Sequence, residues 1–185
     1  MIADDARVLI LPGLYDSGPE HWQSRWRAAH ADLRKVEQAD WQTPKRTDWV
    51  ATLDAAIAAE RGDVVLVAHS LACTLVSYWV ASVPRAIDRV RGALLVAPSD
   101  TEARSYPPGT EGFVPVPMAR LPFRSIVVAS SDDVYVTLAR AQAFARAWGS
   151  EFVDIGPAGH INSSSGLGDW AAGYSLLEDL RRARR

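Results

Sequence analysis

Ser70 stands at the join of two contrasting stretches. Val64-Val-Leu-Val-Ala68 is a continuous apolar run, and Leu71–Val83 reads as a helix stopped by Pro84. A tight turn from a strand into a helix lifts a serine Oγ into the open, the arrangement of the G-x-S-x-G nucleophile elbow. Here both glycines are alanines, Ala68 and Ala72, the next smallest residue for a turn where strand and helix backbones come close. The plainer reading is a serine that caps the following helix. A base and an acid are needed before Ser70 can carry a reaction.

Four histidines are available. His69 adjoins Ser70, but a strand-like step should turn its side chain away. His30 ends a helix and is expected to be exposed, and His21 opens the first helix. His160 lies in the Gly-rich loop Ile155-Gly-Pro-Ala-Gly-His-Ile-Asn162, after the last strand and last in the chain. That position suits the order Ser, acid, His. For the acid, which would hold the imidazole tautomer, Asp132 and Asp133 follow the strand ending at Ala129, and Asp100 follows the strand ending at Ala97. Any of the three could instead be a turn residue. An oxyanion would need two backbone N–H donors. Leu71, after the serine, is one candidate. Leu14, freed by Gly13 in the loop after the first strand, is the other.

These residues need elements to hold them. Strands are expected at Arg7–Leu11, Leu33–Glu37, Asp63–Ala68, Val90–Ala97, Ser125–Ala129 and Glu151–Ile155. Between them the apolar spacing predicts helices at Glu20–Ala29, Thr47–Glu60 with Thr47 as cap, Leu71–Val83 and Val136–Trp148, and Trp170–Arg182 closes the chain. Strands alternating with helices predict a single α/β domain over 1–185, with a mostly parallel sheet of about six strands and helices on both faces. Ligands of such sheets sit beyond the carboxyl ends of the strands, where Ser70, His160 and the three acids fall. Pro98–Pro122 carries six of the eleven prolines. This loop is expected to cover the site, with Tyr106, Phe113 and Met118 as apolar walls. The Trp-rich first helix and the Gly166–Trp170 turn are expected nearby.

The chain has 185 residues, 48% of them hydrophobic and 23% charged, which fits a folded domain with its own core. A net charge of −2 gives no field to draw nucleic acid or an anionic membrane. No apolar run approaches the ~18 residues of a spanning helix, and the acidic start Met1–Asp5 is unlike a secretory signal, so a cytoplasmic protein is expected. The basic end, with Arg181, Arg182, Arg184 and Arg185, reads as the favourable cationic end of a helix. Cys73 is the only cysteine, which excludes an internal disulfide. Seven tryptophans point to an aromatic pocket or a stacked core. Gly166-Leu-Gly-Asp-Trp-Ala171 matches G-x-G-x-x-A, but no strand leads directly into it, so nucleotide binding is discounted.

Four stretches together resemble the small α/β-hydrolase-fold serine hydrolases typified by the retinoblastoma-binding protein serine hydrolase and its bacterial relatives. They are Leu11–Trp26, Val67–Cys73, Ala129–Val136 and Gly159–Trp170. The family's Ser-x-Asn-Asp-Pro stretch carries its acid at the fourth position, which falls on Asp133. Asp132 stands for its Asn and Val134 for its Pro. The resemblance implies a triad of Ser70, Asp133 and His160, no lid domain and no cofactor or metal. The expected activity is hydrolysis of a small-molecule ester, with short acyl groups preferred. Two other readings share these residues: a protein-binding module on a hydrolase scaffold, and an acyltransferase.

Overall fold

The computed structural model describes residues 6–82 and 84–182. Met1–Asp5, read above against a secretory signal, Val83 at the end of its helix, and Arg184 and Arg185 of the basic end lie outside the described residues. The strands are β1 (Arg7–Leu11), β2 (Leu33–Lys35), β3 (Val64–His69), β4 (Val90–Val96), β5 (Arg124–Ala129) and β6 (Glu151–Asp154). The helices are α1 (Trp22–Ala29), α2 (Arg46–Ala59), α3 (Leu71–Ser82), α4 (Leu138–Trp148) and α5 (Ala171–Arg182). The strands form one parallel sheet in the order β2-β1-β3-β4-β5-β6.

Successive side chains of a strand point to opposite faces, and here both faces are covered. Leu9, Leu11, Leu66, Leu95 and Val127 pack with Leu53, Ile57, Trp79 and Phe144 of α2, α3 and α4. Val8, Ile10, Val65, Val67, Leu94 and Val128 pack with Trp22, Trp26, Leu177 and Leu180 of α1 and α5. That two-sided burial is why these strands read as unbroken apolar runs. The sequence of connections reverses direction between β1 and β3, so the loops after these strands lie side by side at the carboxyl edge. Among the described residues no helix is long and apolar enough to cross a membrane.

Local signals set most element ends. Thr137 caps α4 by accepting from Arg140 N–H, and Gly149 closes that helix in the left-handed conformation at φ 70°. The expected Thr47 cap is corrected. The N-cap of α2 is Lys45, without a side-chain bond. Glu111 of the Pro-rich loop supplies the missing partner, its carbonyl accepting from Arg46 N–H at 2.9 Å. The helix therefore starts one residue earlier than its own sequence suggests.

The expected roof is corrected in part. Phe113 is buried against Trp49 and Tyr78, and Met118 is 42% exposed. Tyr78 Oη donates to Pro115 O and Trp148 Nε1 to Pro117 O, so the later part of the loop is tied onto α3 and α4, while its earlier part, with Tyr106 and Pro107, stays at the strand ends. Trp26 and Trp170 stack, Trp22 packs tilted against the first and edge-on to the second, and all three form core. Gly173 makes that stack possible, since a Cβ there would lie 2.3 Å from Trp170 Cε3. Helix propensity alone favours Ala over Gly by about 1 kcal/mol, but overpacking of this kind costs about 1–3 kcal/mol. Gly173→Ala is therefore expected to lower stability in denaturant unfolding. A gain in stability would show that the stack yields without strain.

Candidate active site

Ser70 links β3 to α3 with φ 59°, a left-handed conformation rare for residues other than glycine. Its N–H donates to Val96 O of β4 at 3.0 Å, and its carbonyl accepts from Cys73 N–H of α3 at 3.0 Å, so the neighbouring strand and the helix both hold the turn. Ala68 and Ala72 are fully buried on either side. The loop after β1 closes on it from the front. A Cβ on Gly13 would lie 2.7 Å from Ser70 Cβ and 2.9 Å from the His69 carbonyl oxygen, so only glycine fits.

His160 Nε2 lies 2.8 Å from Ser70 Oγ, and His160 Nδ1 lies 2.8 and 3.0 Å from the two Asp133 carboxylate oxygens. The Asp133 side chain is fully buried and that of His160 is 8% exposed. Asp133 Oδ1 also accepts from Tyr135 N–H, which fixes the carboxylate. Val134, at the family's Pro position, is 73% exposed and does not disturb this contact. The other two acids lie elsewhere. Asp132 accepts from Ser130 Oγ and from Gly159 N–H, and so anchors the loop that carries His160. These bonds hold its carboxyl below the usual range. Asp100 pairs with Arg140 at 3.3 Å. An imidazole placed between a buried carboxylate and a hydroxyl can take the hydroxyl proton, with the carboxylate steadying the charge.

His69 departs from expectation. Its ring does not point away from the site but lies 4.9 Å from that of His160, and its Nε2 donates to the His160 carbonyl at 2.9 Å. Trp22 Nε1 donates to the next carbonyl, Ile161 O, at 2.8 Å. His21 is the N-cap of α1, accepting at Nδ1 from Gln23 N–H, with its ring 4.7 Å from that of His69. His30 is half-buried and stacks on Tyr174, away from these groups. Burial, with the nearness of His160, pushes His21 down to about 4. Burial, with the nearness of His21 and His160, lowers His69 in the same direction. Both stay neutral, so neither opposes a positive charge developing on His160.

These groups open onto a cavity of about 220 Å³ lined by Leu14, Tyr15, His21, Ser70, Ser99, Tyr106, Tyr135, His160 and Asn162, among others. Of the three proposed walls only Tyr106 lines it. Leu14 is at the cavity wall, and Leu71 is the first residue of α3, where helix N–H groups lack partners within the helix. Sequence reasoning missed Ser99, whose Oγ lies 2.8 Å from Ser70 Oγ. The signal was its place after a strand's carboxyl end, which drew attention only to the neighbouring carboxylate Asp100.

The sequence profile of the serine hydrolase family matches residues 8–179. The chain belongs to the serine hydrolase family. A crystal structure from Pectobacterium atrosepticum, described as a YdeN-like hydrolase, is 28% identical, with a TM-score of 0.83 over 97% of this chain and 92% of that one. The ydeN gene product of Bacillus subtilis is 18% identical, with a TM-score of 0.69 over 95% and 98% of the two chains. The esterase domain of a Rhodothermus marinus protein is 12% identical, with a TM-score of 0.69 over 98% and 89%. These likenesses show the α/β-hydrolase fold. No curated protein matches the chain.

The neutral imidazoles of this serine hydrolase make its stability depend on pH. The unfolded chain protonates His21 near 6.5, whereas the folded chain resists until about 4. Stability is therefore full above about pH 6.5 and falls as the pH drops, by on the order of 3 kcal/mol for His21 near pH 4. His21→Asn keeps a cap oxygen for Gln23 N–H and removes the titration. Denaturant unfolding across this range should show a shallower fall in the variant than in the wild type. Equal slopes would mean that His21 titrates normally in the folded chain.

Proposed function

We propose that this serine hydrolase is a cofactor-independent carboxylesterase, working as one domain on small esters through Ser70, His160 and Asp133. The observation that carries this reading is the unbroken chain from Asp133 through His160 to Ser70 Oγ, ending in a cavity of small volume. An esterase domain sharing the fold is in keeping with it.

Ser70 Oγ attacks the ester carbonyl while His160 Nε2 takes its proton. His160 then returns that proton to the departing alcohol, and water hydrolyses the acyl-enzyme by the same route in reverse. Asp133 holds the Nδ1–H tautomer and steadies the imidazolium. The Leu14 and Leu71 N–H groups stabilise the oxyanion. Gly13 matters here because it lets the Leu14 backbone come against the elbow.

The cavity of about 220 Å³ is below the ~300 Å³ at which pockets for drug-sized ligands begin. Leu14, Tyr15, Tyr106 and Pro107 give it apolar wall, and each buried CH₂ gains about 0.8 kcal/mol until the space is filled. Acyl groups of about two to six carbons should therefore be turned over best. A panel of nitrophenyl esters of graded acyl length tests the reading. Specificity should peak in that range, with no jump at the micellar threshold. Ser70→Ala should abolish turnover, on the scale of 10⁶ seen for a protease nucleophile. Asp133→Asn should cost about 10⁴, while Asp132→Asn and Asp100→Asn keep most of the rate. Rates that keep rising to about twelve carbons, or a silent Asp133→Asn beside a crippled Asp100→Asn, would overturn the assignment.

A further inference from the structure

We propose that Ser99 is a further catalytic residue, donating a hydrogen bond to the Ser70 oxygen as that oxygen leaves the acyl-enzyme. The proposal rests on Ser70 being the nucleophile.

Ser99 is 1% exposed, and its Oγ lies 2.8 Å from Ser70 Oγ. Its loop is held on both sides. Ala97 N–H donates to Val128 O at 2.8 Å, and Asp100 N–H donates to Tyr135 O at 3.0 Å. Other buried hydroxyls bond structural groups: Thr74 bonds Leu71 O and Ser77 bonds Thr74 O within their helix, Thr101 bonds Phe113 O, and Ser130 bonds Asp132. Among the described residues, Ser99 Oγ instead makes its hydrogen bond to a reacting atom.

Counting protons fixes the direction of that bond. A neutral imidazole carries one N–H. In His160 it sits on Nδ1, facing the two Asp133 oxygens, so Nε2 accepts. Ser70 spends its single proton on Nε2. The proton between the two serines therefore belongs to Ser99, and Ser70 Oγ is the acceptor.

A donor at this point acts unequally on the two half-reactions. In acylation Ser70 Oγ is the nucleophile, and a hydrogen bond to it withdraws electron density from the attacking pair. In deacylation water adds to the acyl carbon and gives its proton to His160 Nε2. The C–Oγ bond then breaks, its electron pair goes to Oγ, and His160 returns the proton to Oγ. Charge arriving on Oγ is stabilised by the Ser99 O–H, which is shared and not transferred. Hydrogen bonds to charged groups are the stronger ones, so Ser99 assists the expulsion of Ser70 and gives no help to its attack.

Stopped-flow hydrolysis of nitrophenyl butyrate by Ser99→Ala and Ser99→Thr tests this, beside the rate of phosphonylation by a fluorophosphonate. In Ser99→Ala the burst and phosphonylation rates should stay within about twofold of wild type, while turnover after the burst falls roughly ten- to a hundredfold. KM should fall in proportion, and acyl-enzyme should accumulate on Ser70 in quenched samples. Ser99→Thr, which restores a donor, should recover turnover. Burst and turnover falling together would mean that Ser99 only positions Ser70, and turnover unchanged would mean that it does neither; both overturn the proposal. An absence of any adduct on Ser70 in the wild-type enzyme would instead overturn the nucleophile assignment beneath it, and the proposal with it.

Discussion

The left-handed backbone at Ser70 is the constraint on which the site depends. An L-residue with φ 59° is strained, by about 1–2 kcal/mol, and it persists only where its surroundings leave no alternative. Here β3 is buried on both faces and α3 along most of its length, and the turn is bonded directly by Val96 of β4 and Cys73 of α3. Ala68, Ala72 and Gly13 supply the room. The strain sets Ser70 Oγ between His160 and Ser99 rather than against the helix.

His160 is held by a different device. His160 rides on a loop, and loops are placed by the partners of their backbone groups. His69 holds the carbonyl of His160, Trp22 that of Ile161, Ser130 the N–H of Ala158, and Asp132 the N–H of Gly159. Two of these partners, His69 and Trp22, come from β3 and the start of α1, the elements beside the elbow. The tryptophan stack thus serves the site indirectly, by fixing the loop from below. His69 and His21 bring imidazoles near the base, and their burial keeps them from bringing charge.

The fold and the arrangement of Ser70, His160 and the acids at the strand ends could be read from the sequence because both leave local marks. Two-sided burial writes unbroken apolar runs such as Val64–Ala68, and the elbow writes a small-residue pattern around Ser70. The choice of Asp133 over Asp132 and Asp100 came only from the family's register, since all three follow strand ends. What escaped depends on contacts distant in sequence. The start of α2 was set by Glu111, far along the chain. Phe113 turned into the core because Trp49 and Tyr78 wait there, which composition does not reveal. The strand step expected at His69 is present, since β3 runs through it, but the loop that carries His160 lies against that side and brings its carbonyl and ring to His69. Ser99 lies 29 residues from Ser70, and a hydroxyl in a loop carries no motif.

The most direct measurement is peptide mapping of the whole protein after reaction with a fluorophosphonate. The account predicts one phosphonyl adduct, on Ser70, formed by the wild-type protein and absent from His160→Ala. An adduct on another serine, or labelling of Ser70 that is unchanged without His160, would contradict it.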